Sequence, residues 1–149
     1  MNTSMWARAV TVIPRVSKEE WNALDVISRW LIATRSAVLV MTLNSAIIAG
    51  LLAARDGKFD LLLWLMVTVG LLFAHATNNL VNDLTDHWKG VDKDNYFRSQ
   101  YGPQPLEHGL MTQNQVLAYT AVTGLVALAA GVALVALRGE ATLWLLGAG

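Results

Sequence analysis

Hydrophobic positions run along this chain in long blocks that charged residues do not enter. Residues 36–54 carry no charge over 19 positions, about 28 Å of helix, close to the roughly 30 Å hydrocarbon core of a bilayer. Residues 61–82 carry none over 22 positions, and residues 109–137 none over 29, the densest apolar stretch being 116–137. A fourth apolar run starts at Ala141 and reaches Gly149, too short to cross. The pattern predicts an all-α, multi-span transmembrane helical bundle. Three full spans lie at about 36–54, 61–82 and 116–137, and a fourth begins at 141. Three such runs in one small chain argue against a soluble bundle with buried helices.

Ahead of the first run the pattern changes. Pro14 blocks an early helix. Ser17-Lys-Glu-Glu20 reads as a capping box, with Ser17 as N-cap and Glu20 reaching back. The helix that follows places Trp21, Leu24, Ile27, Trp30 and Leu31 on one stripe opposite Glu19, Asn22 and Arg29. Residues 1–35 therefore read as an interfacial segment leading into the first span, or as an amphipathic helix packed on its own protein. A cleaved signal peptide does not fit, since the first apolar run starts only after 35 residues with five basic and three acidic side chains.

Composition agrees. Charged residues are 15% of the 149 and mean hydropathy is +0.42, against about 25% charged in soluble domains. Eleven basic and eleven acidic residues cancel, which excludes nucleic-acid binding driven by counterion release. No cysteine is present, so disulfides, thiolate metal sites and cysteine nucleophiles are excluded. Eight of the eleven basic residues (Arg8, Arg15, Lys18, Arg29, Arg35, Lys89, Lys93, Arg98) fall in the N-terminal segment and the 83–115 loop. By the positive-inside rule, both face the cytoplasm from a cytoplasmic (inner) membrane protein.

The candidate chemistry sits where the second run ends. With a helix continued to about Lys89, Asn79, Asn82, Asp83 and Asp86 fall at i, i+3, i+4 and i+7, on one face. Gly90 is the natural stop, and Asp92 follows just past it. Carboxylates about 6 Å apart repel by about 3 kcal/mol per pair at an effective dielectric near 20. A cation relieves that repulsion, and the hard oxygen donors suit Mg²⁺, which is commonly shared with substrate phosphates. The cluster thus predicts a diphosphate bound through Mg²⁺ at the cytoplasmic mouth of a helical bundle, the alternative being a solvated acidic helix end. Lys89, Lys93 and Arg98 stand next to it as diphosphate contacts or as membrane anchors. His75 reads as a packed, hydrogen-bonded histidine inside the second span. Asn44 either faces a cavity or bonds to another helix, and Gly124 and Gly131 read as close helix packing.

The stretch Asn79-Leu-Val-Asn-Asp-Leu-Thr-Asp-His-Trp-Lys-Gly-Val-Asp92 resembles the first Asp-rich motif of the UbiA superfamily of intramembrane prenyltransferases. The pattern Asn82-Asp83-Leu-Thr-Asp86 followed by Lys89-Gly-Val-Asp92 is similar to its menaquinone-pathway branch, which prenylates dihydroxynaphthoate. Thr34-Arg35 resembles the opening of the first span in the family. Gln104-Pro105-Leu106-Glu-His-Gly109-Leu-Met-Thr112 resembles the segment before its third span, with Gln104 where many relatives have Arg. The resemblance implies Mg²⁺-dependent transfer of a polyprenyl group from an allylic diphosphate to an aromatic acceptor in quinone biosynthesis. It implies Asp83, Asp86 and Asp92 as catalytic residues, Asn82, Asp83, Asp86 and Asp92 as Mg²⁺ ligands, and Asn79, Lys89, Lys93, Arg98 and Arg35 as diphosphate contacts.

The family usually carries a second Asp-rich motif, and these residues hold no second cluster of that kind. The chain therefore reads as the N-terminal portion of a transferase, inactive alone, whose missing motif belongs to further sequence or to a second chain. The alternative is a non-catalytic membrane protein or subunit that keeps a cation-binding remnant. CDP-alcohol phosphotransferases are excluded, because Asp56-Gly57 is followed by Lys-Phe-Asp-Leu in place of their motif.

Overall fold

The computed structural model describes residues 2–91 and 102–139. Every regular element among them is helical: α1 (Thr3–Thr11), α2 (Lys18–Ala23), α3 (Val26–Ala33), a 3₁₀ turn (Ser36–Leu39), α4 (Val40–Arg55), α5 (Leu61–Lys89) and α6 (Gln113–Arg138). Three segments are long and apolar enough to cross a membrane: Ser36–Arg55, Leu61–Lys89 and Gln113–Arg138. They are apolar on the outside. Met41, Ile48 and Leu51 on α4, Leu62 on α5, and Val122, Leu125 and Leu128 on α6 are all exposed. An exposed apolar surface on this scale is tolerable in lipid and not in water. The short fourth run from Ala141 lies outside the described residues.

At 29 residues, α5 is about 43 Å long and outruns the hydrocarbon core. Its last turns carry the acidic motif beyond the apolar zone. Gly90 ends it in the left-handed region at φ 67°, a conformation that favours glycine, and Val91 N–H closes back on the Asp86 carbonyl at 3.0 Å.

The spans pack antiparallel through small residues. The Trp64 indole N–H donates to the Ala46 carbonyl of α4 at 2.7 Å, and its ring lies flat where a side chain on Gly50 would stand. Between α5 and α6, a Cβ on Gly70 would lie 3.2 Å from Ala130, and one on Gly124 would lie 3.5 Å from Thr77. Trp30 of α3 reaches both helices. Its ring lies 5.3 Å from Phe73 of α5, and its indole N–H donates to Thr123 Oγ1 of α6 at 2.9 Å.

Two expectations about the N-terminal segment fail. A helix does form before Pro14. Proline removes its own N–H and restricts residue 13, but Thr3–Thr11 lies wholly upstream. Asn2 caps that helix by accepting from Met5 N–H. The single stripe 17–31 is also broken in two. Ser17 and Glu20 do form the capping box, but Asp25 starts a second helix by accepting from Ser28 N–H at 2.9 Å. A short Asp side chain bonding its own backbone competes with the helical ladder. The break turns Trp21 and Leu24 inward, into a core with Leu80, Leu84 and Met111, while Val26 and Ile27 stay exposed. The first half of the stripe is thus packed on the protein itself.

Asp25 also holds α1. One carboxylate accepts from Ser28 N–H, Ser28 Oγ, Asn2 N–H and the Trp6 indole N–H. The Ser28 backbone bond above all, working against burial, holds the Asp25 carboxyl far below the usual carboxylate range. On the other side Lys18 Nζ donates to the carbonyls of Gly109 and Leu110, tying α2 to the segment that leads into α6.

Two outcomes follow. Gly50→Ala pushes Trp64 off the Ala46 carbonyl and lowers stability by about 1–3 kcal/mol, read as a lower midpoint in thermal unfolding followed by circular dichroism. Asp25 has a lowered pKa, so its contribution is present above the ordinary Asp value and is lost as pH falls through the folded value. Hydrogen exchange in α1 therefore stays slow at pH 5, whereas Asp25→Asn speeds it even at pH 7.

Candidate functional site

Between α3 and α4 the chain changes direction over Thr34 and Arg35. Thr34 closes α3, and its hydroxyl donates to the Trp30 carbonyl at 2.8 Å and lies 3.0 Å from Ser36 Oγ. Arg35 follows with φ 53° and ψ 53°, the one non-glycine residue with positive φ among those described. For an L-residue that conformation costs about 1–2 kcal/mol, so the surroundings must hold it. They do so from α5. Asn79 Nδ2 donates to the Thr34 carbonyl at 2.8 Å, and the Arg35 guanidinium pairs with the Asp83 carboxylate. One turn the other way, Thr42 Oγ1 of α4 lies 2.7 Å from His75 Nδ1. His75, Asn79 and Asp83 are spaced i, i+4 and i+8, so one face of α5 meets the hinge in three polar contacts over about 12 Å.

This regroups the residues singled out by the sequence. Asp83 is 3% exposed and Asn82 is on the open side, with Asn79 and Asp86 half-buried. Arg35, Asn79 and Asp83 come together at the hinge. Asn82 and Asp86 mark the outer edge of the same face, and Lys89 is exposed at the helix end. Asp92, Lys93 and Arg98 lie outside the described residues. The cation that the acidic cluster calls for is, at Asp83, a guanidinium. Among the described residues no three His, Cys, Asp or Glu side chains gather as a metal cluster.

Thr42 and Ser36 escaped the sequence reading, in which Thr34 figures only as the neighbour of Arg35. The i, i+4, i+8 spacing of His75, Asn79 and Asp83 is the signal that points to their helix face. His75 is the hydrogen-bonded, packed histidine that was expected. Asn44 is exposed on α4. His87 Nδ1 lies 3.4 Å from Glu107 Oε2, so the end of α5 touches the 102–112 segment. Gln104 is buried there, and its backbone N–H donates to His108 Nδ1 at 3.2 Å.

While the neighbouring His87 has its Nδ1 3.4 Å from Glu107, Asn82, Asp83 and Asp86 offer carboxylate and amide oxygens. That chemistry fits Mg²⁺. Asp86 and Asn82 are the reachable donors, and Asp83 stands behind them with one oxygen on Arg35.

The pair at Asp83 has a measurable consequence. Removing one partner of a largely buried ion pair leaves a charge uncompensated. Asp83→Ala lowers stability by about 3 kcal/mol, and Arg35→Met with Asp83→Leu together recovers more than half of that loss. A double-mutant cycle in denaturant titrations checks both.

The model of the UbiA prenyltransferase family matches residues 43–149, which takes in α4, the acidic end of α5 and α6. No curated protein and no solved structure matches the chain. A membrane-spanning helical fold whose second long helix ends in this acidic motif, together with a match over most of its length, makes the chain a member of the UbiA family of intramembrane prenyltransferases.

Proposed function

We propose that this chain serves Mg²⁺-dependent transfer of a polyprenyl group from an allylic polyprenyl diphosphate to an aromatic acceptor such as dihydroxynaphthoate, in quinone biosynthesis. The observation that carries the reading is the end of α5. Asp86 and Asn82 stand at its open edge, backed by the buried Asp83–Arg35 pair, one helical turn from the apolar zone. A polyprenyl diphosphate needs that juxtaposition, with charge handling at the membrane boundary and hydrocarbon beside it.

In this reading Asp86, Asn82 and Asp83, with Asp92, hold the cation. The chemistry a cation held there would supply is neutralisation of the charge on the leaving diphosphate. Arg35, Lys89, Lys93 and Arg98 contact the diphosphate oxygens, Arg35 as a planar fork and the lysines as point charges. Asn79 acts through the hinge, since its amide nitrogen is engaged with Thr34. The allylic C–O bond breaks toward the diphosphate, the electron-rich ring of the acceptor takes the allylic carbon, and the ring regains its aromaticity by releasing the group displaced at that carbon, a proton or, at a carboxylated position, CO2. The motif dialect Lys89-Gly-Val-Asp92 supports the menaquinone-type acceptor.

The reading also calls for a second Asp-rich motif, supplied by further sequence or by a second chain, so residues 1–149 by themselves turn over little or nothing. The Arg35–Asp83 pair favours one further reading, a membrane subunit without catalysis, because it neutralises Asp83 without a metal. The N-terminal segment and the 83–115 region face the cytoplasm in this proposal, on the side that carries eight of the eleven basic residues.

Farnesyl diphosphate binding to the purified chain separates the two readings. Binding that requires Mg²⁺ and falls about a hundredfold in Asp86→Asn supports the transferase, and binding indifferent to both sinks it. Orientation is read by single cysteines in this cysteine-free chain. One at Ser4 is labelled from the cytoplasmic side of sealed vesicles and one at Lys58 from the opposite side.

A further inference from the structure

We propose that Arg35 exchanges partners, from the Asp83 carboxylate to an incoming diphosphate, and that this exchange makes a divalent cation and a diphosphate bind at the end of α5 as a coupled pair. The inference rests on the diphosphate reading above. It starts from an asymmetry in the ion pair. The Asp83 side chain is 3% exposed and that of Arg35 is 26% exposed. Of the two partners, the guanidinium side chain is the one that solvent reaches.

The backbone at Arg35 is pinned. Its left-handed conformation sits between the end of α3 and the 3₁₀ turn, and Asn79 holds the preceding carbonyl. The carbonyl of Arg35 itself accepts from Val38 N–H at 2.9 Å. The long side chain can therefore change partner while the hinge stays still.

Charge then dictates the order of events. A guanidinium on Asp83 repels a divalent cation approaching Asp83 and Asp86. A diphosphate offers the guanidinium a richer partner, with several anionic oxygens that match its fork. Once Arg35 turns to the diphosphate, the Asp83 oxygen it covered faces the cation. Metal alone binds weakly, diphosphate alone lacks the metal, and the two together favour each other by the same factor in either order. The hinge thus makes Arg35 a positioning residue that admits the cation only with its counter-anion.

Calorimetry on the purified chain in lipid nanodiscs tests this, with Mn²⁺ alone and then with the preformed Mn²⁺–pyrophosphate complex. In the unmodified chain Mn²⁺ alone binds weakly and the complex binds tightly. Arg35→Gln tightens Mn²⁺ alone by about 5- to 150-fold, the usual range for coupled sites, and weakens the complex. Mn²⁺ affinities equal within about twofold in the two proteins overturn the exchange while leaving the site intact. Absence of any binding by the complex, or binding unchanged in Asp86→Asn, overturns the site reading and the exchange with it. If Arg35→Gln loses helicity, Arg35→Lys is read in its place. Lysine keeps the charge but loses the fork, so the complex weakens while Mn²⁺ alone binds as before, and an unchanged complex refutes the exchange.

Discussion

A helix that breaks beside a membrane must find new partners for the backbone groups it leaves open, because little water is there to take them. Here the break lies between α3 and α4, and α5 supplies the partners. Asn79 takes the Thr34 carbonyl, Asp83 takes the Arg35 side chain, and His75 meets Thr42 one turn deeper. Asn79 engages the backbone of the break and His75 meets Thr42 of α4, whereas Asp83 engages only the Arg35 side chain. The left-handed Arg35 sits among these contacts, and the face of α5 that carries His75, Asn79 and Asp83 is the one turned to the break.

That face also decides the electrostatics. An acidic helix end opposes the helix dipole, and adjacent carboxylates repel. Burying Asp83 against Arg35 removes one negative charge from the balance and leaves Asp86 at the open edge. The site is therefore graded from a buried carboxylate paired with Arg35 to a half-buried one, within one helical turn. An ion pair of this kind adds little net stability over an apolar contact. Its place beside the acidic motif agrees with the binding role proposed above.

The N-terminal segment is part of the same construction. Asp25 gathers four donors to dock α1, and Lys18 grips two carbonyls ahead of α6. Trp21 and Leu24 fill the space between them against Leu80 and Leu84. The hinge is thus braced by the N-terminal segment, and Trp30 ties it to α5 and α6 together.

The sequence by itself determined the elements whose cause is local or one-dimensional. Charge-free runs of bilayer length gave the three spans, since burying charge in hydrocarbon is prohibitive. Ser17 with Glu20 and the stop at Gly90 were legible because capping needs only neighbours within a turn. The shared face of Asn79, Asp83 and Asp86 follows from helical periodicity. Only the tertiary structure decided which cation faces Asp83, because Arg35 lies 48 positions away in sequence and reaches it through a hinge that no periodicity announces. The break at Asp25 was hidden for a related reason. An apolar stripe at helical spacing continues through it, and the competing bond from Asp25 to Ser28 prevails only because Asn2 and Trp6 converge on the same carboxylate. Sequence patterns record what each residue prefers, and packing decides between preferences that conflict.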